Sequence, residues 1–401
     1  MGDCAIGRIS SEDLYAERDD RFHRLKLIGW WDQERLSSAR VLVIGAGALG
    51  NELIKNLALL GVGHVLIADL DTIENSNLSR SVLFREADCG KPKAEVAAAF
   101  ARTIFPDIKA HAFVGNIVYD LGLGVYDWAD VVLGGLDNRE ARLAMNRACY
   151  KLGKPYIDGA IEQLNGVARV FVPDGPCYEC TMSKRDWELL EMRRSCALLT
   201  RGQMLEGKVP TTPTVSSIIA GVQVQEAVKY LHGLEVMAGK GFQYFGTTGE
   251  SYLVGYDRKE ECYSHDRYAS LTPLDRSVGD IAVGELVVES RKHLGAEAAL
   301  ELNTDVLAYL TCRACNVRWP VFRSLGKVSE REGRCRHCGA ACEVDMLSTV
   351  YGDEDFLERT LADIGVPPYD VVTAWAGDER IHWLFAADAP AVLGPLSLIH
   401  I

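Results

Sequence analysis

The 401-residue sequence predicts a large α/β domain built on an open, mostly parallel sheet, followed by a smaller α+β unit. Three observations predict it. Short β-branched runs alternate with amphipathic stretches, the first run ends in a glycine-rich turn, and the pattern changes near residue 271. The length agrees, because single cores stop growing near roughly 250–300 residues and the remainder must form a second unit. Residues 40–44 (RVLVI) read as a buried strand, and Gly45-Ala46-Gly47-Ala48-Leu49-Gly50 opens a helix that keeps Leu53, Leu57 and Leu60 on one face. Residues 64–68 (HVLIA) form the next strand, with Asp69 at its carboxyl end. A helix over 94–105 and strands over 109–113 and 130–133 continue the alternation, and strands over 156–160 and 166–171 follow. The polar stretch 184–208 predicts a crossing loop or short helices, and 215–231 a long helix with a stripe through Ile218, Val222 and Val228. The first domain thus covers 1–270, with a crossover segment at about 181–210. The second covers 271–395. It offers a strand over 280–283, a helix over 284–294, a cysteine-bearing insert over 312–342, and one helix plus two strand-like runs within 355–388. Residues 396–401 read like a translated sequencing-adapter end and are expected to be a non-native tail.

The composition, 48% hydrophobic and 25% charged, is that of an ordinary globular protein, and no run of about 18 apolar residues could span a bilayer. The first twenty residues are polar and acidic, without the basic start and apolar centre of a secretory signal, so a cytoplasmic location is expected and no membrane role. A net charge of −13 argues against nucleic acid as the main ligand, since phosphate backbones are held by clustered Lys and Arg.

Twelve cysteines in such a chain point to metal ligands or catalysis rather than disulfides. Cys177/Cys180, Cys312/Cys315 and Cys335/Cys338 are Cys-x-x-Cys pairs, and Cys262/His265 is a Cys-x-x-His pair. Four two-ligand hooks suffice for two tetrahedral Zn2+ sites. Spacing alone leaves open an exchange of partners between the first and third hooks. Cys342 reads as a spare thiol, and Cys4, Cys89 and Cys149 as structural.

Gly45-x-Gly47-x-x-Gly50 after a strand, with Asp69 nineteen positions beyond, fits a nucleotide fingerprint in which glycines admit a phosphate and the acid holds a ribose. Alone it would favour a dehydrogenase. The next stretch shifts the balance: Asp71, Asn77 and Arg80, then Gly90-Lys-Pro-Lys93, put an amide, a guanidinium and an ammonium just past the ribose position. Those groups suit ATP, whose pyrophosphate must be stabilised as it leaves, better than NAD.

This stretch, together with Gly134-Gly-Leu-Asp137-Asn138-Arg and Arg21-Phe-His-Arg24, resembles the ubiquitin-activating enzymes and their bacterial relatives that adenylate thiamine and molybdopterin sulfur carriers. The similarity covers roughly residues 18–266, with four motifs in the family's order. The resemblance implies a Rossmann-like adenylation domain in which Asp69 binds the ribose of ATP and Asn77, Arg80 and Lys93 contact phosphates. It implies that Asp137 holds Mg2+ and that Arg24 is an arginine finger reaching a neighbouring subunit, hence a homodimer. Arg21 and Arg18 are alternatives for that finger. Cys177, Cys180, Cys262 and His265 match the family's structural zinc hooks. His265 departs from the usual four cysteines, and imidazole is an equally good ligand.

Cys196 lies sixteen positions past Cys180, at the place of the thioester cysteine in ubiquitin-type members, with Arg193 and Arg194 flanking it to favour the thiolate. The implied function is ATP-dependent activation of a ubiquitin-like protein ending in Gly-Gly. Its terminal glycine would be adenylated, joined to Cys196 and passed to a conjugating enzyme. The alternative keeps the adenylation and leads to a sulfur-carrier thiocarboxylate. An NAD-dependent oxidoreductase or a non-catalytic binding module stands as the reading from other classes. The second unit resembles weakly the ubiquitin-fold domain that recruits conjugating enzymes, with an unusual zinc ribbon over 312–342.

Overall fold

The computed structural model describes residues 20–187, 210–324, 327–329 and 331–398. Cys196, Cys4, Arg18, nearly all of the 184–208 stretch and the last three residues lie outside the described residues. The first sheet consists of β1 (Arg40–Ile44), β2 (His64–Asp69), β3 (Lys109–Val114), β4 (Val131–Gly134), β5 (Tyr156–Glu162), β6 (Asn165–Phe171), β7 (Lys240–Phe245) and β8 (Glu250–Gly255). Their order is β3-β2-β1-β4-β5-β6-β7-β8. The first five run parallel, and β6, β7 and β8 are added as an antiparallel meander. The chain moves outward from β1 to β3, then returns to β4 on the other side of β1. The carboxyl ends of β1 and β4 therefore flank the switch point at which such sheets bind ligands.

The helices of this unit are α1 (His23–Lys26), α2 (Gln33–Ser38), α3 (Ala48–Leu59), α4 (Lys93–Ile104), α5 (Leu123–Trp128), α6 (Arg139–Lys151) and α7 (Pro213–Leu231). Alternate residues of a strand face opposite sides, and in the central strands β1 and β2 both sides are buried. Val41, Val43, Val65 and Ile67 pack against Leu53, Leu57, Ala97 and Val224 of α3, α4 and α7. Leu42, Ile44 and Leu66 face Tyr126, Leu143 and Met145 of α5 and α6. This is why RVLVI and HVLIA read as unbroken apolar runs.

The second unit contains β9 (Thr272–Leu274), α8 (Val283–Leu294), β10 (Ala299–Cys312), β11 (Val317–Ser324), β12 (Glu343–Val350), β13 (Val371–Ala376), β14 (Glu379–Phe385) and α9 (Ala389–Leu393). Its sheet runs β11-β10-β13-β14-β9, with β12 also paired to β10. Tyr369, Val371, Leu384, Leu393 and Leu396 join the core on the α5/α6 side of the first sheet, so the two units share an apolar interior. Leu396, at the start of the expected foreign tail, is 1% exposed there.

Two local expectations are corrected. Residues 280–283 form a turn and one bridge, Ala282 to Thr360, rather than a strand. The Glu285 carboxylate accepts a hydrogen bond from Ala282 N–H (3.3 Å), which starts α8 instead. Within 355–388 no α-helix forms. Gly365 takes φ +97°, Pro367 and Pro368 follow, and the described helix comes only at α9. The stripe on α7 also differs. Val228 is buried and Val222 packs against the core as expected, but Ile218 is 37% exposed, and Val215, Ile219, Ala220, Val224 and Ala227 complete the buried face.

Candidate active site

The glycine loop between β1 and α3 is shaped by its own backbone. A side chain on Gly50 would lie 1.8 Å from the Gly45 carbonyl oxygen, and one on Gly45, at φ +92°, would lie 2.7 Å from that of Gly135. Gly47 is different: among the described residues nothing lies within 4 Å of the position its Cβ would take. No described protein atom explains that glycine, and the open space is what a ligand phosphate beside a helix N-terminus would use.

Asp69, at the end of β2, closes the other side. Its Oδ2 accepts from Ala46 N–H (2.6 Å) in the loop and its Oδ1 from Asp71 N–H (2.7 Å). Burial pushes its pKa up, against the nearby Lys93 ammonium and the two N–H groups. A carboxylate has about four acceptor positions, so lone pairs remain for a ribose hydroxyl. Lys93 opens α4 with its side chain only 11% exposed and its Nζ 2.8 Å from Asp71 Oδ2. The structure thus brings Gly45, Gly47, Gly50, Asp69, Asp71 and Lys93 to one shelf.

The remaining expected ligands are presented differently. Asn77 Oδ1 accepts from Glu74 N–H (2.9 Å) and Arg80 Nη1 donates to the Ser76 carbonyl (2.8 Å), so both shape the 74–80 turn itself. Asp137 is exposed just before Asn138, the N-cap of α6, and makes no hydrogen bond or ion pair among the described residues. Arg24 is exposed on α1. Its neighbour Arg21 donates to the Ile104 carbonyl (2.9 Å) and lies over the Phe105 ring, at the far end of α4 from Lys93. Twelve helical residues span about 18 Å, so Arg21 does not join the shelf of its own chain.

Three buried polar groups that the sequence did not single out hold this geometry. Asn51 Nδ2 donates to the Ala46 (2.7 Å) and Gly47 (3.0 Å) carbonyls, and its Oδ1 accepts from Leu83 N–H (2.8 Å), tying the loop to the segment beyond Arg80. Arg142 donates to the Leu136 carbonyl and to that of Gly159 (2.9 Å), fixing the turn before Asp137. It also faces Asp158, which is bound by Arg169 (2.6 Å) and the Tyr156 hydroxyl (2.7 Å). Burial disfavours that carboxylate, but the two arginines hold it below the usual range. Gln223 of α7 donates to the Gly134 (2.9 Å) and Ile157 (3.1 Å) carbonyls, spacing the ends of β4 and β5. The one sequence signal for each is an uncharged or charged polar residue inside an apolar helix face.

The hooks assemble into two groups: Cys177, Cys180, Cys262 and His265, and Cys312, Cys315, Cys335 and Cys338, each with its ligand atoms within 4.8 Å of one another. Cys177 Sγ lies 3.7 Å from both Cys180 and Cys262 Sγ, and Cys180 Sγ lies 3.3 Å from His265 Nε2. In the second group Cys312 to Cys338 is 3.6 Å and Cys315 to Cys335 is 3.9 Å. Tetrahedral Zn–S bonds of about 2.3 Å put sulfurs about 3.8 Å apart, so both sets fit a zinc ion. The Cys177 thiol and the Cys177 and Lys259 N–H groups favour the Cys180 thiolate, as a metal ligand requires.

The comparisons agree with this architecture. A crystal structure of E. coli MccB with ATP superposes with a TM-score of 0.53 at 22% identity, covering 64% of this chain and 77% of that one, a likeness of fold. The SAMP-activating enzyme E1 of Haloferax volcanii is 41% identical over 170 residues, covering 42% of this chain and 63% of its own. The sulfur carrier protein adenylyltransferase of Thermus thermophilus is 37% identical over 177 residues, covering 42% and 65%. The ubiquitin-like modifier-activating enzyme 5 of Dictyostelium discoideum is 29% identical over 247 residues, covering 56% and 61%. The chain thus spans somewhat less than two thirds of these relatives. Residues 20–263, more than half of the chain, match the ThiF family, and the chain belongs to that family.

Proposed function

We propose that the chain uses ATP to adenylate the C-terminal glycine of a ubiquitin-like or sulfur-carrier protein. The observation that carries this reading is the shelf at the switch point, where Gly47 faces open space, Asp69 presents a carboxylate and Lys93 a nearly buried ammonium. Relatives named for SAMP activation and for sulfur-carrier adenylation supply the carrier class. In this reading Asp69 accepts from the ribose and the loop N–H groups cradle phosphate. The carrier carboxylate forms a bond to the α-phosphorus as the bridging oxygen bond breaks, and pyrophosphate leaves toward Lys93 and Arg80. Little covalent help is needed, so positioning and charge account for most of the acceleration. A magnesium ion held by Asp137 would neutralise charge at the α-phosphate.

The rest of the scheme belongs to the same proposal. Arg24 serves the shelf of a second copy in a homodimer. Cys196 attacks the acyl-adenylate, forming a thioester and releasing AMP, and a conjugating enzyme takes the acyl group; the protein works in the cytoplasm. The second reading ends in a thiocarboxylate instead, and the Thermus relative favours it. ATP–pyrophosphate exchange that requires a Gly-Gly carrier and is lost in Asp137→Ala supports adenylation, and absence of exchange overturns it. A carrier adduct on a non-reducing gel that disappears in Cys196→Ser selects the thioester, whereas an adduct that survives rejects Cys196.

A further inference from the structure

The helix that begins beside Asp137 ends beside the first cysteine centre. α6 has 13 residues, about 20 Å of rigid rod. At its start, Asn138 Oδ1 accepts from Ala141 N–H (2.8 Å) and Arg142 grips the Leu136 carbonyl. Two turns on, Asn146 is 2% exposed and uses both ends of its carboxamide. Its Oδ1 accepts from Tyr178 N–H (2.8 Å), inside the first hook, and its Nδ2 donates to Ser264 Oγ (2.9 Å), inside the Cys262/His265 hook. Ser264 has one hydroxyl proton, and Glu179 Oε2 takes it at 2.5 Å. Ser264 can therefore only accept from residue 146, so an amide donor is required there. His265 also stacks on Tyr150 of α6, with ring centroids 4.6 Å apart.

We propose that Asn146 is a positioning residue that joins the first cysteine–histidine centre and the 136–142 turn into one rigid body. Zinc occupancy then sets how firmly Asp137 is presented to a divalent cation. The significance for Asp137 rests on the adenylation reading; the coupling of the two ends of α6 does not. Zinc fits the four ligands on their spacing, and Asn146 supplies the hydrogen bonds that fix the distance between the two hooks.

Asn146→Asp keeps the shape and the acceptor for Tyr178 but replaces the donor, leaving two carboxylates and one proton around Ser264. Ser264→Ala breaks the same bridge without adding charge. In the full chain, zinc affinity of the first centre is read by competition with a chromophoric chelator, with the Cys312–Cys338 centre as internal control. Amide hydrogen exchange reports on 136–142. The expected result for both variants is zinc bound about 10–100-fold more weakly, with 136–142 exchanging about tenfold faster. The Mg2+ concentration for half-maximal ATP–pyrophosphate exchange should also rise about tenfold, with the saturating rate within about twofold of wild type. Unchanged zinc affinity, or lost zinc with unchanged exchange over 136–142, overturns the proposal. If Asn146→Asp does not fold, Ser264→Ala decides alone. Absence of exchange activity in the wild-type chain sinks the adenylation reading, while the zinc and hydrogen-exchange measurements still decide the coupling.

Discussion

Asp370 is a carboxylate with 1% exposure whose oxygen accepts from Leu123 N–H (2.8 Å), across the boundary between the two units. Burial pushes its pKa up to about 6, against the Leu123 and Val371 N–H groups. The folded state thus holds this proton more tightly than the unfolded chain. Its stabilising contribution is complete below the unfolded value of about 3.8 and is lost as pH rises through about 6. Asp370→Asn keeps a carbonyl for Leu123 and removes the titration. The stability difference between variant and wild type should shift by about 2 kcal/mol in the variant's favour between pH 4 and 7, measured by denaturant unfolding at both ends. A constant difference would show that the carboxylate does not titrate in that range. Asn51 is the second residue whose weight follows from its bonds. Replacing it by Ala leaves the Ala46 carbonyl and Leu83 N–H without their partner, while the Gly47 carbonyl keeps the backbone N–H of residue 51 (2.9 Å). The loss should cost about 2 kcal/mol and raise the KM for ATP as the loop loosens. Asp69 was legible in the sequence because a glycine loop and a fixed spacing announce it. Asn51, Arg142 and Gln223 were not, because polar residues inside helices declare themselves only when burial is known.

At the scale of elements, the two ends of the glycine loop separate folding from binding. A Cβ on Gly50 meets a backbone oxygen at 1.8 Å, which no rotamer can relieve, so Gly50→Ala should destabilise the protein by more than about 3 kcal/mol. Gly47→Ala meets nothing among the described residues and keeps an accessible backbone, φ −73°. It should cost no more than about 1 kcal/mol as a poorer N-cap. Thermal unfolding should therefore distinguish the two, while nucleotide binding, measured by calorimetry, should weaken in Gly47→Ala although the fold survives. Equal loss of stability would mean that Gly47 is a packing residue. The strands of the parallel half were legible because burial on both faces makes them continuous apolar runs. The stripe of α7 was legible at Val222 and Val228 and misplaced at Ile218, because VSSIIAGVQVQEAVKYL carries apolar residues on several faces, and only contact with α3 and the sheet sets its phase. Strand β10 went unread for the opposite reason: a 14-residue strand with bulges breaks strict alternation.

At the scale of the molecule, composition and cysteine spacing divide the chain near residue 271, yet the interior does not divide there. One face of the first sheet is completed by the second unit, where Tyr369, Val371, Leu384 and Leu396 meet Leu42, Leu66 and Tyr126 in a single cluster. Backbone contact is just as close. A side chain on Gly122 or Gly124 would strike Tyr369 at 2.5–2.6 Å, and Gly124 N–H donates to the Tyr369 carbonyl (2.8 Å). Burial this continuous stabilises by about 25 cal/mol per Å2 of apolar surface, and none of it is recovered if either part stands alone. A chain cut after residue 270 should therefore expose the α5 side of its sheet. It should bind a hydrophobic dye and unfold at lower denaturant concentration with a broader transition, whereas the full chain should unfold cooperatively across both units. If the truncated chain matched the full chain in midpoint and slope, the shared core would contribute nothing to the first unit. The shelf at Gly47 would then be stable without the second unit, whose Val371 and Leu384 share a core with Leu66 of the strand that presents Asp69.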